Sequence, residues 1–326
     1  MEKKDLRIVF MGTPEFAVPS LKALIEHGYN VVGVITMPDK PAGRGYKLRP
    51  SAVKEYALSK GLHILQPDKL KNEVFLNELK CLEADLQIVV AFRMLPEVVW
   101  NMPSKGTFNL HSSLLPQYRG AAPINWAIIN GEKETGVTTF FLTHEIDTGK
   151  IIFQDRTPIE TNDTAETLHD RLMVMGAHLV LKTVDAILDD NVTPIPQNRL
   201  VGDTPELKPA PKIFKEDCLI DWNKPAEVVR NFIRGLSPYP AAYTEWQDAD
   251  GDTHTLKIFA ADIVEKDSPG IPGTIETDHK TYLHIAAADG YMSVTDVQLS
   301  GRKRMDIRGF LNGFHFSTTT QFGSFS

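Results

Sequence analysis

Apolar residues in the first half of the chain come in short unbroken runs rather than in alternation. "RIVFMG" (7–12), "NVVGVIT" (30–36), "HILQP" (63–67), "LQIVVAF" (86–92), "TFNLHSS" (107–113) and "GVTTFFLT" (136–143) each read as a strand. Helical spacing fills the gaps: Phe16, Leu21, Leu24 and Ile25 share one face, and 51–60, 71–82, 96–102 and 123–130 read as further helices. Continuous apolar strands alternating with helices predict an α/β domain: a doubly wound, mostly parallel sheet covered on both faces. "IIFQDRTPI" (151–159) is expected to pair antiparallel with 136–143 through a turn at 144–149. A long helix at about 164–190 then closes a first domain over 1–190.

Beyond it the texture changes. Residues 191–212 hold five prolines and no period, which predicts an extended linker over 191–211. An amphipathic helix at about 225–235 follows. Short β-like runs come next: "AAYTEW", "TLKIFAADIV", "GTIET", "TYLHIAAA" and "YMSVTDVQL", separated by Gly, Asp and Pro turns. That spacing predicts a small antiparallel barrel or sandwich over 212–326. The Ser/Thr-rich tail "FSTTTQFGSFS" reads as loose.

Composition narrows the function. The chain has 326 residues, enough for two cores, with 42% hydrophobic and 24% charged residues, ordinary for a soluble protein. No apolar run approaches a membrane span, and the first seven residues are too charged for a signal peptide. Cys81 and Cys218 lie far apart without metal-like spacing, so a reducing cytoplasm without zinc or disulfides is expected. The net charge of −7 opposes a broad nucleic-acid surface, and it is spread evenly. Residues 1–204 carry 22 basic against 25 acidic side chains, and 205–326 carry 13 against 17. One segment stands out: "DKPAGRGYKLRPSAVK" (39–54) holds five basic residues and one acid. From charge alone it reads as a solvated surface loop.

The usual templates are missing. The turn after the first strand, "GTPEFA", lacks the G-x-G-x-x-G of a dinucleotide site, and no phosphate-binding loop, H-E-x-x-H helix or G-x-S-x-G elbow occurs. What remains is "FNLHSSLLPQYRGAAPINW" (108–126) with "HEIDTGKII" (144–152). Asn109 and His111 sit two apart at the end of a strand, on one face, and Asp147 lies in the turn after the next strand. An Asn amide, a His and an Asp suit acyl transfer without a covalent intermediate. Asn109 would donate to an oxyanion, His111 would be a second donor or a proton acceptor, and Asp147 would hold the imidazole or an ordered water. Singly, each also reads as a cap, a strand-end histidine or a turn residue.

The stretch 108–149 closely resembles the folate-dependent formyltransferase signature: Asn-x-His, Ser-Leu-Leu-Pro, Gly-Val-Thr and Asp-x-Gly. With "RIVFMGTPEFAVPSL" (7–21), "TMPDKPAGRGYKLRPSAVK" (36–54), "IDW" (220–222) and "GRKRM" (301–305), the full chain resembles the methionyl-tRNA formyltransferase family. The resemblance implies a Rossmann-like catalytic domain, an OB-like β-barrel after it, and Asn109, His111 and Asp147 as the catalytic group. It implies 10-formyltetrahydrofolate as formyl donor and the α-amine of initiator Met-tRNA as acceptor. The pteridine would lie against Phe92, Arg93, Met94 and Leu95, against Ser113, Leu114, Leu115 and Pro116, and against His144, Glu145, Ile146 and Gly149. Initiator tRNA would be met by the loop of Gly43, Arg44, Gly45, Lys47 and Arg49, and by Arg302, Lys303 and Arg304. No metal, no membrane and a monomer are expected. Rival readings are a formyltransferase acting on an amino sugar nucleotide, a formyl-folate hydrolase, and a tRNA-binding module without chemistry; the 36–54 loop and the Asn109/His111/Asp147 set weigh against them.

Overall fold

The computed structural model describes residues 2–42, 47–200, 206–248, 250–265, 270–317 and 320–323. In chain order the elements begin with β1 (Arg7–Gly12), α1 (Val18–Glu26), β2 (Asn30–Ile35), the short strands β3 (Lys40–Ala42) and β4 (Lys47–Arg49), and α2 (Ala52–Ser59). Then come β5 (Ile64–Leu65), α3 (Glu73–Cys81), β6 (Leu86–Val90), α4 (Glu97–Trp100), β7 (Thr107–His111) and α5 (Pro123–Ile129). β8 (Glu134–Phe141), β9 (Ile151–Pro158) and the long α6 (Ala165–Leu188) follow. The rest comprises α7 (Ala226–Leu236), β10 (Ala242–Gln247), β11 (Thr253–Val264), β12 (Ile275–Thr277), β13 (Leu283–Ala286), β14 (Tyr291–Leu299), β15 (Met305–Asp306) and α8 (Ile307–Leu311).

Local chemistry accounts for the helix starts. Ser51 caps α2 by accepting from the Lys54 amide at 3.1 Å, and Asn72 caps α3 by accepting from Val74 and Phe75. Asp306 caps α8 through the Gly309 amide at 2.8 Å. Proline opens the first turn of α1 and of α5, where a missing N–H costs nothing.

The chain forms two compact units, one of residues 1–120, 135–157 and 169–209, the other of 121–134, 158–168 and 210–326. In the first, the sheet runs β5-β2-β1-β6-β7-β8-β9. The first five strands are parallel, and β8 is antiparallel to β7. Winding outward from β1 in both directions makes it the doubly wound architecture expected from the apolar runs. All five residues of β6 are buried, as covering on both faces requires.

Residues 195–199 are part of this unit rather than a free spacer. Ile195 exchanges both main-chain hydrogen bonds with Ile151, at 2.9 and 2.8 Å, and Gln197 is buried.

In the second unit an antiparallel sheet runs β10-β11-β14-β13-β12, with β15 on β14. Segments from before the linker join it because they pack on α7. The Asn125 amide donates to the Gly235 carbonyl at 2.8 Å, and a Cβ at Gly235 would lie 2.7 Å from Ile129. Arg234 donates to the carbonyl of Asp163 at 2.9 Å. The tail is not loose throughout. Gly323 bridges Glu245 of β10, Gln321 bridges Thr274 beside β12, and the Phe322 amide donates to the Gly273 carbonyl at 2.8 Å. These bonds tie the two edges of the sheet, which curls into a half-barrel. The rings of Phe316 and Phe322 are buried 5.6 and 5.5 Å from that of Trp246, so aromatic burial explains why a polar tail is held.

Among the described residues, no helix is long and apolar enough to cross a membrane.

Candidate active site

β7 presents Asn109 and His111 from one face of the first sheet. Asn109 is half-buried, lies opposite Val89 of β6 and Phe140 of β8, and its amide takes no hydrogen bond among the described residues. His111 is buried, with Nε2 2.8 Å from the Tyr118 carbonyl. A carbonyl only accepts, so Nε2 carries a proton and, in the neutral ring, Nδ1 keeps its lone pair. That Nδ1 faces Asp147, 3.9 Å from Oδ2. The same Oδ2 accepts from the Gly120 amide at 3.0 Å. Two acceptors thus face each other across a gap that a proton on Nδ1 turns into an ion pair.

How Asp147 reaches His111 departs from the expectation that strand ends alone bring them together. β8 is antiparallel, with Phe141 opposite Phe108 and Thr138 opposite His111. The carboxyl end of β8 therefore lies about 10 Å back along the sheet from His111, at three residues' rise. The 142–150 loop returns that distance. Asp147 takes a left-handed conformation, φ 54°. Gly149 is pressed so closely on the Phe141 carbonyl that a Cβ would lie 1.6 Å from its oxygen. Gln197 donates to the carbonyls of Asp147 and Gly149, at 2.7 and 2.9 Å.

The turn after β7 is latched to β8 and β9. Thr138 Oγ1 donates to the Ser113 carbonyl at 2.6 Å and accepts from the Leu115 amide at 3.3 Å, while Gln154 donates to the Leu115 carbonyl at 2.8 Å. The Ser113 hydroxyl donates inside the turn to the Gln117 carbonyl at 2.7 Å. Leu115 packs against Phe140 and Ile151, Pro116 is buried and Leu114 half-buried. Leu115 and Pro116 thus serve as core that fixes the turn. Ala91, Tyr118 and Asp147 all have positive φ, at 47, 60 and 54°, so three non-glycine residues carry backbone strain in this one region.

Two more expected segments come together beside it. His144 lies 3.6 Å from the Glu97 carboxylate and edge-on to Trp100, which brings the 143–149 loop onto α4 and the 91–95 loop that precedes it. Phe92 and Leu95 are inner members of this contact, in the cluster of Val89 and Val99. Met94 and Ile146 remain 70% and 57% exposed, one apolar side chain on each loop. Glu145 is exposed. Arg93 donates to the carbonyls of Asp68, at 2.8 Å, and Pro67, and burial pulls its guanidinium below the ordinary range. Its buried Nε has no partner among the described residues.

Of the residues expected to meet tRNA, Gly43, Arg44 and Gly45 lie outside the described residues, and Lys47 is seen as strand backbone in β4. Arg49 is exposed at the end of the β3–β4 ribbon, opposite Lys40. Lys54 and Gln66 hydrogen-bond Asp39 beside that ribbon, at 2.7 and 2.9 Å, and hold its carboxyl below the usual range. In the second unit Arg302 and Lys303 are exposed. Arg304 is engaged instead: it binds both oxygens of Asp296 and covers the Phe259 ring at 4.2 Å. The same unit holds a cavity of about 460 Å³ lined by Lys212, Lys215, Lys257, Tyr239 and Tyr243, with no carboxylate in its wall among the described residues. Tyr239 is 84% exposed there.

Tyr118, Thr138, Gln154 and Gln197 also build the site, and no sequence pattern marks them. Gln197 follows two prolines in "PIPQ", a context that reads only as linker.

Family models described as formyl transferase and as formyl transferase, C-terminal domain, match residues 6–184 and 212–315. A methionyl-tRNA formyltransferase of Parabacteroides distasonis is 64% identical over 96% of this chain and 97% of its own. Two solved structures share the fold at low identity. The sugar 3N-formyl transferase WlaRD, solved in the presence of dTDP and 5-N-formyl-THF, has a TM-score of 0.64 at 22% identity, covering 91% of this chain and 99% of that one. HypX from Aquifex aeolicus, in complex with tetrahydrofolic acid, has a TM-score of 0.60 at 19% identity over 93% of this chain; the match spans only 46% of HypX. A half-barrel after a doubly wound sheet, an Asn-x-His strand end facing an aspartate, and close identity along nearly the whole length lead to one conclusion: the chain belongs to the methionyl-tRNA formyltransferase family.

Proposed function

We propose that this enzyme moves the formyl group of 10-formyltetrahydrofolate to the α-amine of methionine esterified to initiator tRNA, the modification that readies it for translation initiation. One observation carries the reading: the Asn109 amide, without a hydrogen-bond partner among the described residues, and the Nδ1 lone pair of His111 share a strand face, with the Asp147 carboxylate 3.9 Å from Nδ1. The two flanking loops each expose an apolar side chain, Met94 and Ile146, which suits a flat pteridine.

The folate supplies a formyl carbon on an aryl nitrogen that leaves with one proton. The attacking amine has a pKa of about 8, so a usable fraction is already neutral. As the new C–N bond forms, the formyl oxygen gains charge, and the Asn109 amide is the donor for it. His111 Nδ1 takes the proton that the amine nitrogen loses. Asp147 stabilises the imidazolium so formed, and that proton is then available for the departing nitrogen. The Tyr118 carbonyl fixes the ring throughout.

For the tRNA, the proposal rests on local positive charge because the chain is acidic overall. The ribbon that carries Arg49 belongs to the 39–54 segment, where Arg44 is proposed to meet the acceptor end. Lys212, Lys215 and Lys257, with the exposed ring of Tyr239, suit a phosphate backbone and a stacked base. Free thiols at Cys81 and Cys218 suit a reducing cytoplasm.

The test uses purified enzyme, 10-formyltetrahydrofolate and charged initiator Met-tRNA, with uncharged tRNA and an amino-sugar nucleotide as parallel acceptors. Formyl-Met-tRNA alone supports the reading. Formylation of the sugar, or release of free formate only, rejects the acceptor while leaving the site chemistry.

A further inference from the structure

We infer that Gln197, in the proline-rich segment after α6, is a positioning residue that sets Asp147 against His111; the inference rests on the acyl-transfer reading above. Its amide uses every valence it has. Both hydrogens go to main-chain carbonyls, of Asp147 at 2.7 Å and Gly149 at 2.9 Å. Its carbonyl oxygen takes two bonds from Arg119, from Nε at 3.1 Å and Nη2 at 2.6 Å. Guanidinium only donates and carbonyls only accept, so chemistry fixes which way the amide points. Gln197 is 4% exposed, and its bond to the Gly149 carbonyl is fully buried, which limits competition from water.

The loop needs such a hold. Asp147 sits in the left-handed region, and 143–146 are exposed. The Thr143 and Thr148 hydroxyls bind each other and the Glu145 carbonyl, so they tie the loop only to itself. Gln197 instead ties it to the turn that serves the rest of the site. In that turn Tyr118 accepts from His111, Arg119 grips Gln197, and Gly120 donates to the Asp147 carboxylate. Three consecutive residues thus govern the imidazole, the loop's main chain and its carboxylate. The proline-rich segment after α6 thereby carries part of the catalytic geometry.

The experiment compares Gln197→Ala and Gln197→Glu in the wild-type and Asp147→Ala backgrounds, with thermal melts alongside. Glutamate keeps the Arg119 contact but offers no donor to the two carbonyls, so it separates folding from loop positioning. Both variants are expected to lower kcat about 100-fold, the scale of a roughly 1 Å misplacement, with KM for either substrate changed less than about threefold. In the Asp147→Ala background neither should cost anything more. An unchanged kcat, a loss that persists undiminished without Asp147, or a loss confined to KM overturns the inference. Wild-type enzyme inert toward Met-tRNA would overturn the functional reading instead.

Discussion

The Tyr118 carbonyl accepts a hydrogen bond from His111 Nε2 at 2.8 Å, and so decides that Nδ1 is the ring nitrogen that faces Asp147 with its lone pair. In the proposed mechanism Nδ1, with its lone pair beside Asp147, takes the proton that the amine loses. Asn109→Ala is expected to lower kcat about 10²- to 10³-fold, as loss of one oxyanion donor does. His111→Ala should cost about 10²- to 10⁴-fold, and adding Asp147→Ala should cost little beyond it, because the carboxylate acts through the ring. Single-turnover formylation of Met-tRNA measures all three. Full additivity of His111 and Asp147 would show that Asp147 works elsewhere.

Gly149 tolerates no side chain, since a Cβ would lie 1.6 Å from the Phe141 oxygen. Gly149→Ala should displace the 147–149 loop, with kcat falling at least about tenfold and melting lowered by several degrees. Near-wild-type turnover with an unchanged melt would mean that the loop relaxes without moving Asp147.

Phe322 closes the half-barrel from the tail and is buried against Trp246 and Phe316. Phe322→Ala is expected to cost about 3–5 kcal/mol of stability, the range for removing a buried aromatic ring. Denaturant titration with a probe in the second unit checks it. A loss under about 1 kcal/mol would mark the tail as dispensable.

Arg304 pairs with Asp296, whereas Lys215 and Lys257 line a cavity that shows no carboxylate among the described residues. Binding to tRNA should weaken steeply with salt. Lys215→Ala and Lys257→Ala should each lower the slope of log affinity against log salt by about one. Arg304→Ala should leave that slope alone and lower the melting temperature. The same slope for all variants would remove the cavity from the tRNA surface.

Asp185 supplies an acid-sensitive tie in the first unit. Burial works against its charge, but bonds from Lys3, at 2.8 Å, and Tyr29 prevail and hold its carboxyl below the ordinary 3.8. A carboxylate depressed in the folded state contributes stability above its unfolded value and loses it as pH falls. Asp185→Asn should therefore lower the melting temperature near neutrality and narrow the gap to wild type toward about pH 3. A gap constant with pH would assign the effect to packing.

The sequence by itself determined the strands, the helices and the class of fold. β2, β6, β7 and α6 lie within a few residues of where their apolar runs and helical spacing put them, because side-chain burial leaves a period that the chain carries locally. It also singled out Asn109, His111 and Asp147, the last two of which the structure brings within 3.9 Å of each other. Only the tertiary structure decided the rest. Apolar runs do not encode which neighbour a strand chooses or which way it points, so the antiparallel β8 and the loop that carries Asp147 back were invisible. Hydrogen bonds across long separations leave no pattern either. Gln197, reading as linker, became the anchor of that loop, 50 residues from Asp147. Phe322 likewise holds the half-barrel from a tail whose composition reads as loose, because two edge strands need partners and an aromatic ring needs burial.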